Sequence, residues 1–125
     1  MKRLLTASLV LLVIAACGGD GRVIELDLGD SGSTIRLGSE DRIELVLQAN
    51  PTTGFTWLVD HADGLEQVGA ATHDPESDLV GAPGLTTFVF EPAGPGEGEL
   101  MLVYRRQWED VAPEATFVVD FVVGA

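Results

Sequence analysis

A chain of 125 residues with 20 Asp and Glu against 7 Lys and Arg carries a formal charge of -13. That length holds one domain. The charge excludes a nucleic-acid or anionic-lipid surface, which needs clustered cations, and a single Cys excludes an internal disulfide. With 46% hydrophobic and 22% charged residues, the composition is that of a globular chain.

Lys2 and Arg3 precede an apolar run from Leu4 to Ala16 broken only by Thr6 and Ser8. The run falls short of the ~20 residues that span a bilayer as a helix. A positive start, a short apolar stretch and a small-residue end predict an export signal over residues 1–16. Ile14-Ala15-Ala16-Cys17 resembles the lipobox of bacterial lipoproteins, and the sole Cys of the chain occupies its last position. That resemblance implies cleavage before Cys17, acylation of Cys17, and a lipid-anchored protein of the bacterial cell envelope. Two or more acyl chains give lasting attachment where one gives marginal binding. Residues 17–22, with Gly18-Gly19-Asp20-Gly21, are expected to form the lipidated Cys and a flexible tether. The domain then occupies residues 23–125. Cleavage removes Lys2 and Arg3 and no acid, so the mature chain is still more acidic.

From there the pattern is β. Apolar residues alternate with polar ones at Ile24, Leu26 and Leu28, and a weaker run covers Ser33 to Leu37. Alternation returns at Ile43, Leu45 and Leu47, then at Phe55, Trp57 and Val59 after a break at Asn50-Pro51. A further strand is predicted from about Leu65 to Thr72. Phe88 and Phe90, then Leu100, Leu102 and Tyr104, then Phe117, Val119, Phe121 and Val123 complete the series. Period-two alternation marks half-buried strands, and no stretch holds a 3.6-residue apolar period with caps. The fold class is therefore all-β, an immunoglobulin-like β-sandwich of about seven or eight strands. Trp57 sits on the core-facing side of its strand, matching the buried Trp of such sandwiches. Pro92 to Gly98 joins two strands.

Chemistry-bearing motifs are missing. The one Cys is assigned to lipid, and His61 and His73 stand in no metal-ligand spacing, so both are expected in surface loops. No Ser lies in a nucleophile elbow. Gly94, Gly96 and Gly98 precede no helix start that would bind phosphate. Asp74, Glu76 and Asp78 lack the Gly and bidentate Glu of a calcium loop. No enzyme activity, cofactor or metal is expected, and the chain is read as a monomer.

Three segments between strands differ from plain turns. Asn50-Pro51-Thr52-Thr53-Gly54-Phe55 places two threonines between a Pro and a Gly, a stiff polar tip where Asn-Gly would close a hairpin. Gly81-Ala82-Pro83-Gly84 precedes the Phe88 strand. Arg105-Arg106-Gln107-Trp108 follows the Tyr104 strand and puts a Trp beside two cations in a chain short of them. Trp and Arg dominate binding hot spots, so this segment reads as a contact surface.

In this order, the three segments resemble those of the chagasin family, inhibitors of papain-like cysteine proteases. The family carries an Asn-Pro-Thr-Thr-Gly-aromatic loop, a Gly-rich loop and an Arg-Pro-Trp loop, and the likeness spans about Ile43 to Phe121. Gln107 stands where the family has Pro, which leaves that loop less preorganised. The resemblance implies a reversible, non-covalent inhibitor whose partner is a papain-like cysteine protease. Asn50, Pro51, Thr52, Thr53, Gly54 and Phe55 would enter the active-site cleft. Gly81, Ala82, Pro83 and Gly84, with Arg106, Gln107 and Trp108, would straddle its walls. The alternative is an immunoglobulin-like adhesion or assembly module whose three loops only close strands.

Overall fold

The computed structural model describes residues 21–124. The expected export signal, Cys17 and most of the tether lie outside them.

Among the described residues nine strands run in chain order: β1 (Val23–Leu26), β2 (Thr34–Leu37), β3 (Arg42–Ala49), β4 (Phe55–Ala62), β5 (Leu65–Gln67), β6 (Thr72–Pro75), β7 (Gly84–Pro92), β8 (Gly96–Arg106) and β9 (Ala115–Val123). They form two sheets. One is ordered β1-β3-β7-β5, with β6 also on β7, and the other β2-β9-β8-β4. The short strands β1 and β2 pair parallel with β3 and β9; the remaining ladders are antiparallel. This is the expected immunoglobulin-like sandwich.

Alternation decides which faces meet. Ile43, Leu45 and Leu47 of β3 and Phe88 and Phe90 of β7 point inward from the first sheet. Leu100 and Leu102 of β8 and Phe117, Val119 and Phe121 of β9 meet them from the second. Trp57 is buried as expected, and its Nε1–H crosses between sheets to donate to the carbonyl of Gln48 (3.0 Å).

Two strand boundaries differ from expectation. Leu28 does not extend β1. Asp27 accepts the Gly29 N–H, and its own N–H donates to Asp30, a reciprocal cap that opens a 3-10 turn over Leu28–Asp30. Leu28 consequently faces solvent. The segment Leu65–Thr72 also splits. Gly69 has a φ of 72°, a region open to Gly at little steric cost, and β5 and β6 take successive stretches of one edge of β7. That split makes nine strands where seven or eight were expected.

At the start of the domain, Arg22 is tied to Asp41. Its backbone N–H and its Nη2 donate to the two carboxylate oxygens (2.9 and 2.8 Å), and Gly38 N–H adds a third donor (2.8 Å). The Arg22 side-chain bond, helped by these N–H groups, holds the buried Asp41 carboxyl at about 2 against the opposing effect of burial. Both histidines lie on strands, not in loops. His61 on β4 bridges Asp60 (2.8 Å) and Glu99 of β8 (2.7 Å) at a break in register. The Glu99 bond, then the Asp60 bond, raises its pKa. His73 on β6 meets the Thr86 hydroxyl (3.0 Å).

Candidate functional site

The turn after β3 is built by Asn50. Thr53 N–H donates to the Asn50 carbonyl (3.1 Å), closing a 3-10 turn over Pro51–Thr53. The Thr53 hydroxyl donates to the same carbonyl (2.6 Å), and the Thr52 hydroxyl donates to Asn50 Oδ1 (2.6 Å). Both hydroxyls therefore shape the loop from within. Gly54 has a φ of 86°, a left-handed turn that brings the chain into β4 at Phe55.

The second segment meets the first. Ala82 N–H donates to the Leu79 carbonyl (3.1 Å), with Gly81 at a φ of 86° as the third residue of that turn, the position that demands positive φ in a type II turn. The Gly81 carbonyl accepts Asn50 Nδ2–H (3.0 Å). Asn50 thus spends its side-chain oxygen inside its own loop and its nitrogen across to the next. Gly81 and Pro83 are exposed and Ala82 is partly covered. Gly84 differs from the three residues before it. It is the first residue of β7, buried, and a Cβ there would lie 2.7 Å from Pro75 Cα and 2.8 Å from His73 Nε2. Its missing side chain lets β6 close on β7.

The third segment leans on the first. Glu109 N–H donates to the Arg106 carbonyl (3.2 Å), so Arg106 to Glu109 is a turn with Gln107 in its second position. Arg106 is tied inward as well: its Nε–H donates to the Thr53 carbonyl (2.9 Å), its guanidinium lies 4.4 Å from the Phe55 ring centre, and Nη1 pairs with Glu109 (3.3 Å). It braces the first loop. Gln107 and Trp108 are exposed, Trp108 to 72%. Its ring edge nonetheless covers Gly54: a methyl on Gly54 would lie 2.9 Å from Trp108 Cζ2 and closer still to Cη2.

Tyr104 was read only as a core-facing strand residue, yet it holds the cluster from below. Its hydroxyl oxygen accepts the Asn50 N–H (3.1 Å), and its ring stacks on Phe55 (5.4 Å) and tilts against Trp57 (5.0 Å). The signal available was its place as the only Tyr, at the end of an alternating strand beside the Arg-Trp segment. The outcome is one edge with Thr52, Thr53, Gly81, Pro83 and Trp108 outward, and Asn50, Phe55, Tyr104 and Arg106 as its frame.

Residues 36–121 match the model of the chagasin family, described as Chagasin family peptidase inhibitor I42. Amoebiasin-1 of Entamoeba histolytica is 32% identical over 91 residues, covering 72% of this chain and 89% of that relative. Chagasin of Trypanosoma cruzi is 29% identical over 84 residues, covering 62% and 76%. In three dimensions, the cysteine protease inhibitor EhICP2 from Entamoeba histolytica superposes with a TM-score of 0.77 at 24% identity, covering 86% of this chain and all of that one. With the sandwich, the ordered loops and the family model in agreement, the chain belongs to the chagasin family of peptidase inhibitors, a family of inhibitors and not of enzymes.

Proposed function

We propose that this chain inhibits papain-like cysteine proteases reversibly and without covalent chemistry, by filling the active-site cleft with the Asn50–Phe55 loop. The Gly81–Pro83 and Gln107–Trp108 segments grip the cleft walls. One observation carries this reading. Three loops distant in sequence are joined into a single edge by Asn50 to Gly81, Arg106 to Thr53, and Trp108 over Gly54. An edge assembled before encounter loses little ordering entropy on docking, which a closed strand connection has no need of. Trp108 supplies the large exposed apolar area typical of an anchor residue. The acidic surface speeds encounter with a basic enzyme, an effect that salt screens.

Titrating the purified protein against papain with a fluorogenic peptide substrate tests the proposal. Tight competitive inhibition is expected, with the inhibitor recovered uncut. A folded protein that leaves papain untouched at micromolar concentration overturns it.

The proposal includes the cellular address: export, acylation at Cys17 and attachment to a membrane of the bacterial cell envelope. Its support is the Lys2-Arg3 start, the apolar run and the Ile14–Cys17 motif. The wild-type chain is expected in the membrane fraction and the Cys17→Ser variant in the soluble fraction or unprocessed. Equal processing and solubility of the two refutes this address and leaves inhibition standing.

A further inference from the structure

A groove of about 1060 Å³ opens beside the loop cluster. Its floor is the part of β3 that β1 leaves uncovered. β1 pairs with β3 only from Val23↔Arg42 to Leu26↔Leu45, while β3 continues to Ala49 with β7 along its other side. The Asp27–Asp30 cap turns the chain away at that point, so the uncovered row is built into the local sequence. Four uncovered residues span about 13 Å. Leu28 stands at one wall and Trp57 and Tyr104 at another, and the groove continues to Asn50 and Pro83 on the loop edge.

Two properties set this row apart from an ordinary sheet edge. Sheet edges are commonly protected by Lys, Pro or a bulge, and Val46-Leu47-Gln48-Ala49 has neither residue and a continuous register with β7. The charged residues lining the groove are Glu25, Asp27 and Glu114, with no Lys or Arg among them. Leu47 and Ala49 face the core while Val46 and Gln48 face outward, so a strand laid beside them presents its own side chains alternately to an apolar and a polar side. The Gln48 carbonyl already accepts from Trp57 and the Asn50 N–H donates to the Tyr104 hydroxyl, so an added strand bonds to the main-chain groups that these two side chains leave open.

We propose that this groove binds an extended peptide segment of another protein, apolar at alternate positions and carrying Lys or Arg between them, added beside Val46–Ala49 as a short strand. Main-chain hydrogen bonds supply the affinity, as in strand addition generally, and the three carboxylates select the basic partner. The site shares only Asn50 and Pro83 with the loop edge, and its test uses no protease, so it stands or falls separately from the inhibitor reading.

The test is fluorescence anisotropy of a fluorescein-labelled Lys-Val-Lys-Leu-Lys-Val peptide with the purified protein at an ionic strength of about 0.15 M. Saturable binding is expected. Replacing each Lys of the peptide by Glu, or N-methylating alternate amides, is expected to weaken it by roughly tenfold or more. Glu25→Lys combined with Glu114→Lys is expected to do the same, both side chains being exposed. Glu97→Lys with Asp120→Lys, the same charge change away from the groove, is expected to leave binding within about twofold. Thermal melts confirm that both double variants are folded. Equal binding of the N-methylated peptide reduces the effect to charge alone and overturns strand addition. Equal weakening by the two double variants, or no binding of the Lys peptide, overturns the site.

Discussion

Gly54→Ala separates the two things the loop edge needs, a left-handed turn and a seated Trp108. The folding cost comes from the backbone. At a φ of 86°, a side chain costs about 1–2 kcal/mol, which lowers the melting temperature of a domain this size by roughly 4–16 °C. The clash with Trp108 adds little to that cost, because the ring is 72% exposed and swings outward. That movement is what inhibition feels. A central Trp anchor is worth about 2 kcal/mol, so unseating it raises the inhibition constant about thirtyfold. Thermal melts and papain titrations of Gly54→Ala, Trp108→Ala and the double variant form a cycle. In the Trp108→Ala background, Gly54→Ala is expected to add no more than about threefold, since the ring it displaces is already gone. Full additivity of the two losses refutes the argument, as does a Gly54→Ala variant that melts early and inhibits normally.

Tyr104→Phe keeps both ring contacts and removes the acceptor for Asn50 N–H; a stability loss of about 1 kcal/mol and severalfold weaker inhibition are expected, and unchanged values in melt and titration remove Tyr104 from the frame. Gln107→Pro puts Pro in the second position of the Arg106–Glu109 turn, where it is favoured. Inhibition is expected to tighten by about twofold to fivefold, and a weaker or equal inhibition constant contradicts this. Asp41 has a pKa lowered from 3.8 to about 2 in the folded chain, so its pairing stabilises fully above about pH 4 and is lost as pH falls through 2. The exposed partner Arg22 limits that contribution to roughly 1–2 kcal/mol, and Asp41→Asn is expected to flatten the acid limb of a pH-stability curve. His61 works in the opposite direction. Its raised pKa stabilises fully below about pH 6.5 and is lost as pH rises through the folded value; His61→Gln is expected to abolish that slope, with Asp60, Asp63 and Glu99 left facing the site.

The strands and the three loops were legible because each rests on local chemistry. Alternation placed Ile43, Leu45, Leu47, Phe117 and Phe121 in the core before any pairing was known, since a strand's side chains change face at every residue. Asn50-Pro51 and Thr53-Gly54 announced a turn through restricted and permissive φ angles. What each side chain does at the loop edge was not legible. Arg106 reads as an outward cation until Thr53 and Phe55 are found beside it. Gly84 reads as a loop glycine until β6 is seen pressed on it. Tyr104 reads as core until its hydroxyl meets Asn50. His61 reads as a loop residue until Glu99 arrives from the neighbouring strand. Each of these contacts joins residues from about 10 to more than 50 positions apart, and such pairs are set by register and by which strands become neighbours. The groove beside Val46–Ala49 has the same origin, for it exists only because β1 lies on β3 and stops short. Sequence by itself determined the all-β class, the buried faces and the identity of the loops, because period and turn chemistry act over a few residues. The tertiary structure alone decided which loop residues stand exposed and which hold the others in place, because those roles depend on neighbours that only the sandwich brings together.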